Sequence, residues 1–278
     1  MSTDKLYGVG IIQTGMFGSG TDGDVIINGT RSLTKTMNYN NLTISSKATL
    51  NTNGFAIYVR NQLILDGTVQ NHGHDAIGSV GGSGAISNCL GGGTLGGDGT
   101  SQWYGGNGGG ISADGNGNVG GVGGSYGPYL GGQPGPISPI PNFEGGPYIM
   151  SIYPYVALGR TTYGDMIHGG TGGGGGGAGE GSIGGGGGGG AGLICISARN
   201  ITGSGLISVR GGNGSKGSGS DAGGGAGGGA GVVGIVSLND VKLGTSIRFD
   251  ISGGKGADGI GNGEKGHDGE SGSLYLYC

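Results

Sequence analysis

The stretch Gly184-Gly-Gly-Gly-Gly-Gly-Gly-Ala-Gly-Leu-Ile-Cys-Ile-Ser197 joins the two kinds of sequence from which the whole chain is built. A glycine tract has no side chains with which to form a hydrophobic core, and glycine loses more conformational entropy on ordering than any other residue. The apolar run that follows is typical of a buried strand. Because strand-like runs fix the ends of the glycine tracts, the pattern predicts packed glycine segments and not a flexible linker.

Glycine accounts for 82 of the 278 residues, and the longest tracts lie at 172–177, 184–190 and 223–229. Collagen is excluded because the chain has seven prolines and no sustained Gly-X-Y period. Glycine can instead adopt an extended left-handed helix of about three residues per turn, in which neighbouring helices exchange backbone hydrogen bonds. We therefore expect residues 172–192 and 222–231 to form packed helices of the polyglycine II type.

The rest of the chain predicts short strands. Residues 22–70 contain β-type runs that end at Asn-Gly or Asp-Gly turns, and this pattern resembles the rungs of parallel β-solenoids such as the pectate-lyase-like β-helices. The unit 54–73 recurs at 192–214 and 231–256 as a strand, an Arg-Asn or Asn-Asp corner, two further strands and a glycine-rich excursion. Our alignment places Ile194 against Ile235, a shift of 41 residues, and Ile235 against Leu274, a shift of 39.

These patterns predict an all-β fold of short-strand β-solenoid-like repeats with inserted glycine-rich excursions and no significant α-helix. We divide the chain into an N-terminal attachment segment (1–21), a β-solenoid-like region (22–77), a glycine-rich insertion (78–191) and a repeat region (192–278). Much of the buried apolar surface is expected from Val25, Ile27, Leu42, Ile44, Leu50, Ile57, Val59, Leu63, Leu65, Ile194, Ile196, Ile207, Val209, Ile235, Ile247, Phe249, Leu274 and Leu276.

Composition excludes several classes of function. The formal net charge is −4 and no basic cluster exists, which argues against nucleic-acid binding. No apolar run approaches the ~20 residues that span a bilayer, and the N-terminus lacks the pattern of a signal peptide. The cysteines Cys89, Cys195 and Cys278 lack metal-ligand spacing, so we expect reduced, hydrophobic side chains. No motif predicts a cofactor.

His72, His74 and Asp75 form the tightest His/Asp cluster of the sequence. If these residues lay on a strand, the two imidazoles would point the same way, as a metal site requires. A polar corner of the fold is the alternative interpretation. No Ser/His/Asp grouping has a spacing that indicates a hydrolase, and paired carboxylates for sugar cleavage are not evident. We therefore expect a protein that is not an enzyme.

The segment 126–155 within the insertion holds all seven prolines. Such proline density excludes helix and central strand, and it favours preorganised loops. Tyrosine on such loops supplies a large contact area at a low entropic cost. The segment therefore predicts a binding loop with the anchors Tyr126, Tyr129, Tyr148, Tyr153 and Tyr155. Packing against the glycine segments or at a subunit interface is the alternative.

Short β rungs combined with polyglycine tracts resemble bacteriophage virion proteins. The stretch from Asp22 to Val59 looks like glycine-rich phage structural proteins, and the tracts at 169–192 and 211–231 are similar to the distal adhesins of T-even-like long tail fibres. In those adhesins, stacked polyglycine helices carry variable loops that bind outer-membrane proteins. The resemblance implies synthesis in a host cytoplasm, assembly into a virion and contacts with other virion proteins or a host receptor.

Alternatives to a host-recognising fibre component remain open at this point. One is a purely structural virion protein, such as a head decoration, a vertex fibre or a tail appendage. Another is an ice-binding polyglycine protein, which would need flat rows of threonine that the sequence does not reveal. Exposed strand edges at the ends of a solenoid also predict a homo-oligomer, with a trimer favoured.

Overall fold

The structure is a computed structural model that describes residues 16–101, 169–239 and 246–277. These ranges contain strands and no helix, and therefore no helix that could cross a membrane. The strands are β1 (Asp24–Ile27), β2 (Thr30–Ser32), β3 (Met37–Ile44), β4 (Thr49–Asn51), β5 (Ile57–Leu65), β6 (Thr68–Gln70), β7 (Leu193–Thr202), β8 (Leu206–Ser208), β9 (Val232–Val236), β10 (Arg248–Asp250) and β11 (Ser273–Tyr277).

The chain alternates between two sheets. Odd-numbered strands form a six-stranded sheet in the order β1-β3-β5-β7-β9-β11, and even-numbered strands form a five-stranded sheet in the order β2-β4-β6-β8-β10. All strand pairs are parallel. The predicted all-β class is therefore confirmed for the described residues.

One apolar cluster draws its side chains from both sheets. In-register residues on successive strands, such as Leu50, Val69 and Ile207, form its rows. All the predicted core positions belong to this cluster: Val25, Ile247, Phe249, Leu274 and Leu276 are partly buried against it, and the others are buried. Burying one such side chain contributes ~1.5–3 kcal/mol, which makes this cluster the main apolar contribution to stability.

The predicted register of the repeats is wrong by two residues. Ile194 pairs with Val233 and Ile196 pairs with Ile235, so β7 and β9 are offset by 39 residues. Ile235 pairs with Leu276, which gives an offset of 41 between β9 and β11. A slip of two residues leaves the same side chains facing the core, because the strand period is two. Apolar pattern alone therefore could not distinguish the two alignments.

The predicted Arg-Asn corner is also wrong. Arg60 and Asn61 lie inside β5, where the pairing with β7 shifts between Val59 and Gln62. An extra residue at such a bulge bends the strand without ending it. The strands predicted on either side of this corner in the unit 54–73 are for this reason one continuous strand.

Glycine-rich segments connect the later strands and pack together as a glycine bundle, which we define as residues 73–101, 169–192, 209–231 and 251–272. Three consecutive residues at its centre donate to three different neighbours: Gly187 to the Gly97 oxygen (2.8 Å), Gly188 to Ala226 (2.8 Å) and Gly189 to His74 (2.9 Å). Donation to the same neighbouring segment recurs at every third residue. Gly184, Gly187 and Gly190, for example, donate to the backbone oxygens of Thr100, Gly97 and Thr94.

The carbonyl groups of the same central segment complete the arrangement. The oxygens of Gly186, Gly187 and Gly188 accept from Ser215, Gly82 and Gly173 respectively. Each of these donors belongs to a different part of the glycine bundle, so the central segment is bonded on all sides. Backbone hydrogen bonds therefore hold the central segment, because its glycines have no side chains that could pack.

The described segments of the bundle reverse direction at the end away from the strands, which we call the far end. A glycine with positive φ lies in each reversal: Gly78 (57°), Gly181 (72°), Gly219 (101°) and Gly261 (59°). Glycine adopts this conformation without the steric cost that a Cβ imposes.

Candidate functional site

The predicted anchors Tyr126, Tyr129, Tyr148, Tyr153 and Tyr155 lie outside the described residues, as does the rest of 126–155. The described flanks of this part of the chain are at opposite ends of the glycine bundle. Thr100 donates to the Gly176 oxygen (3.1 Å) close to the far end, whereas Gly169 donates to the Gly92 oxygen (3.1 Å) close to the strands. The chain therefore leaves the described bundle at its far end.

The predicted histidine pair lies just after β6 and not on a strand. His72 Nε2 lies 2.6 Å from Ser208 Oγ, and His74 Nδ1 lies 3.2 Å from the Ser83 carbonyl oxygen. Asp75 accepts from the Asn213 backbone N–H (2.7 Å). The alternation argument for a metal site therefore does not apply to residues 72 and 74, although both side chains line one pocket.

Around His72 the fold assembles a grouping that the sequence analysis missed. Gln70, Ser208 and Asp250 are register partners on β6, β8 and β10, and the buried Ser208 hydroxyl donates to Asp250 Oδ2 (3.3 Å) while it contacts His72. Residues so far apart in the chain meet only through the strand register, which spacing does not reveal.

The order of contacts in this grouping differs from that of a hydrolytic triad. In a triad the carboxylate orients the imidazole, whereas here Asp250 bonds the serine and not the histidine. Burial, followed by the nearby Arg210 guanidinium, lowers the pKa of His72, so the imidazole is mostly neutral at pH 7. In the described part of the chain no cluster of three His, Cys, Asp or Glu side chains could hold a metal ion.

A pocket of about 200 Å³ opens beside His72, and we call it the amide pocket. Its walls are the side chains of Asn51, Asn53, Gln70 and Asn71, the imidazoles of His72 and His74, and Ile86. Gln70 Nε2 donates to Asn51 Oδ1 (2.9 Å), and Asn51 Nδ2 donates to Ser32 Oγ (3.1 Å). This ladder of amides along the sheet holds one wall of the pocket in place.

The outward face of the five-stranded sheet carries a short threonine row. Thr30, Thr49 and Thr68 are in register on β2, β4 and β6, and the row continues with Leu206 and Arg248. The sequence does not reveal the alignment of these three threonines. They lie 19 residues apart in the chain, and only the pairing of the strands aligns them.

The cysteines occupy different surroundings. Cys195 is buried in a small cluster on the outer face of the six-stranded sheet with Ala56, Leu90 and Leu193, and burial raises the pKa of its thiol to about 12. The exposed Cys89 lies 3.2 Å from Thr36 Oγ1. Cys195 is therefore an unreactive apolar side chain, as predicted.

Comparisons with known proteins identify no relative from which a function of these sites could be inferred. No protein-family model, curated protein or solved structure matches the chain. The function is therefore inferred from the described residues and the sequence.

Proposed function

We propose that the chain is a non-enzymatic surface component of a bacteriophage virion, of the host-recognising tail-fibre or adhesin type. In this proposal its scaffold is a parallel β-solenoid with polyglycine II-type excursions, and its loops are displayed at the far end of the glycine bundle. Two features of the fold support the scaffold, and one feature of the bundle supports the role in display.

The solenoid is supported by the strict alternation of consecutive strands between two parallel sheets. Such alternation winds the chain into successive coils, each of which buries its apolar face on its neighbours. The polyglycine II assignment is supported by the three-residue repeat of hydrogen-bond directions around 184–190. The φ values of this tract are not positive, in contrast to those of the reversals.

The role in display rests on one observation: the central segment of the glycine bundle is hydrogen-bonded on all sides, while the reversals and the exit of the chain at Ser101 lie at the far end and the chain returns at Gly169 close to the strands. In such a bundle the backbone N–H and C=O groups are already hydrogen-bonded to one another. The sites available to a partner are then the loops that it carries. Preorganised loops bind with a small loss of entropy, which suits the proline-rich segment 126–155.

Homo-oligomerisation, with a trimer favoured, is part of the proposal. The last strands of the two sheets, β10 and β11, are edge strands. Phe249, Leu274 and Leu276 on these strands are only partly buried, in contrast to their in-register partners Ile207, Val233 and Ile235. A second copy would cover these partly exposed apolar side chains.

The experiment replaces Tyr148, Tyr153 and Tyr155 together with alanine in the phage that encodes the chain. We expect particles that assemble and carry the protein but fail to adsorb to the host. Cryo-electron microscopy of the same particles would place the protein on the tail or on the head. Normal adsorption by particles that carry the mutant protein would favour the alternative of a purely structural decoration or appendage.

An ice-binding role is a second candidate because of the Thr30, Thr49 and Thr68 row. Threonines in register on a parallel sheet match the requirement for repeated hydroxyl and methyl groups, but Leu206 and Arg248 interrupt the row after three strands. Thermal hysteresis of the purified protein distinguishes this role. Hysteresis that Thr49→Tyr abolishes would support it, and its absence at millimolar protein would reject it.

A further inference from the structure

We infer that the amide pocket is a binding site for a single uncharged sugar ring, separate from the far end of the glycine bundle. This site does not depend on the proposed virion function. Its support comes from the chemistry of the lining, the way the lining is held, and the size of the pocket.

The four amide side chains of the lining are neutral groups that both donate and accept. Each amide carries two N–H donors and one oxygen acceptor, which matches a sugar hydroxyl, since a hydroxyl also donates and accepts. None of the described lining residues is Asp, Glu, Lys or Arg. A phosphate, carboxylate or ammonium ligand would therefore lose hydration without meeting an Asp, Glu, Lys or Arg side chain in the lining, which is costly. The lining selects a polar ligand that carries no charge.

The amides are fixed by bonds that leave their oxygens available. Asn53 Nδ2 donates to the Leu33 oxygen (3.1 Å), and Asn71 Nδ2 donates to the Leu193 oxygen (3.1 Å). Asn71 is only 6% exposed, and Gly192 leaves room for its amide because a Cβ there would overlap Asn71 Nδ2. Among the described residues, the side-chain oxygens of Asn53, Gln70 and Asn71 accept no hydrogen bond. A ligand with hydroxyl groups would supply those missing donors.

Backbone geometry holds the rim of the pocket as well. Asn53 is the only non-glycine residue of the described ranges with a positive φ (50°), a conformation that asparagine tolerates better than most residues. Asn88 Nδ2 donates to the Asn53 carbonyl oxygen (2.6 Å), which ties the rim to the connection that carries Ile86. The polar side chains are therefore positioned before any ligand binds, which reduces the entropy lost on binding.

Size and one apolar wall restrict the ligand further. A volume of about 200 Å³ corresponds to roughly seven water molecules at ~30 Å³ each, which is close to the size of one sugar ring. Ile86 is 52% exposed and supplies an apolar surface for the C–H groups of such a ring. A longer glycan would place one terminal or branching unit in the pocket and leave its remainder in solvent.

The test titrates the purified full chain with glucose, galactose and N-acetylglucosamine, and with glucuronate as the charged counterpart, by isothermal calorimetry. We expect saturable millimolar binding of at least one neutral sugar and at least tenfold weaker binding of glucuronate. Ile86→Trp should fill the pocket and weaken binding at least tenfold, since Ile86 is exposed and the fold should tolerate the change. Ile77→Trp is the matched control, because Ile77 is 81% exposed on a reversal of the bundle.

Three outcomes would overturn the inference. The first is the absence of saturable binding of any neutral sugar at sugar concentrations up to about 50-fold above 1 mM. The second is binding that Ile86→Trp leaves unchanged, and the third is tighter binding of glucuronate than of the neutral sugars. The assay uses isolated protein and leaves the tyrosines of 126–155 intact. Failure of the sugar site would therefore be distinguishable from failure of the proposed role in host recognition.

Discussion

The sheets and the glycine bundle both have buried interiors, but side chains fill the interior of the sheets and backbone atoms fill the interior of the bundle. In the sheets, side chains such as Leu63, which is 1% exposed, fill the space between strands. In the bundle, backbone approaches backbone, and a Cβ added at Gly187 would overlap the carbonyl oxygen of Gly173. Removing atoms should therefore destabilise the sheets, whereas adding atoms should destabilise the bundle. The comparison indicates that a segment without apolar side chains can still belong to the ordered interior of a protein.

The largest effect is expected from Gly187→Leu. The new side chain has no free volume, and accommodating it would break hydrogen bonds to several neighbouring segments at once. We expect a loss of more than about 4 kcal/mol in the free energy of unfolding, measured by chemical denaturation. Gly29→Ala is the control, because a Cβ at Gly29 meets nothing within 4 Å, and its effect should stay within about 0.5 kcal/mol. Equal stability of the two variants would show that the bundle is loosely packed.

Truncation in the sheets should have the next largest effect. Leu63 lies in register with Leu42 and Ile201, and all three side chains are buried in the cluster between the sheets. Leu63→Ala should cost about 2–5 kcal/mol because it removes apolar contacts and leaves a cavity. Thermal unfolding followed by circular dichroism would measure the loss. The matched exposed position is Ile64 on the same strand, where alanine should cost far less.

A smaller effect is expected at the reversals of the bundle. Gly181 has a φ of 72°, and a Cβ there meets nothing within 4 Å. Gly181→Ala should therefore cost only the strain of the left-handed conformation, about 1–2 kcal/mol. Denaturation of this variant beside Gly187→Ala separates conformational strain from crowding. If Gly181→Ala proved the more damaging of the two, backbone conformation and not close approach would limit the bundle.

The smallest effect concerns the pH dependence at His72. Burial lowers the pKa of His72 in the folded protein, so the unfolded chain binds more protons as the pH falls below the unfolded value of 6.5. Stability should therefore decrease from pH 6.5 down to the folded pKa, and the decrease should be weaker in His72→Gln. The aspartates with lowered pKa values, such as Asp22 and Asp250, lose their contribution only below about pH 4. An unchanged pH profile in His72→Gln would contradict the burial of the imidazole.

Much of the strand region was predictable from the sequence, because the alternation of apolar and polar residues along a strand indicates which side chains are buried. The core positions from Leu42 to Leu276 follow from alternation alone. The register between β7 and β9 was not predictable, since Ile194 can face Val233 or Ile235 with the same apolar result. The Arg60-Asn61 bulge was missed for a related reason, because two polar residues between apolar runs also indicate a corner.

The candidate sites were less accessible to sequence reasoning. The amide pocket brings Asn53 and Gln70 together with Ile86, and the polar grouping brings His72 together with Ser208 and Asp250. Neither set has a spacing that indicates a site, because strand register and the folding of the glycine excursions create both. Each of the four reversal glycines is followed by a serine or an asparagine, and these turn-type dipeptides are the signal that the sequence offers for the reversals. Within a tract, every glycine looks alike.

Amide hydrogen–deuterium exchange of residues 184–190 tests most directly whether the glycine bundle is an ordered, hydrogen-bonded body. Each of these amides donates to a backbone oxygen of a neighbouring segment at 2.8–3.0 Å. We predict exchange that is orders of magnitude slower than in an unfolded peptide and comparable to that of β7, to which the tract is joined. Exchange of 184–190 at the rate of an unfolded peptide, with β7 still protected, would contradict the account.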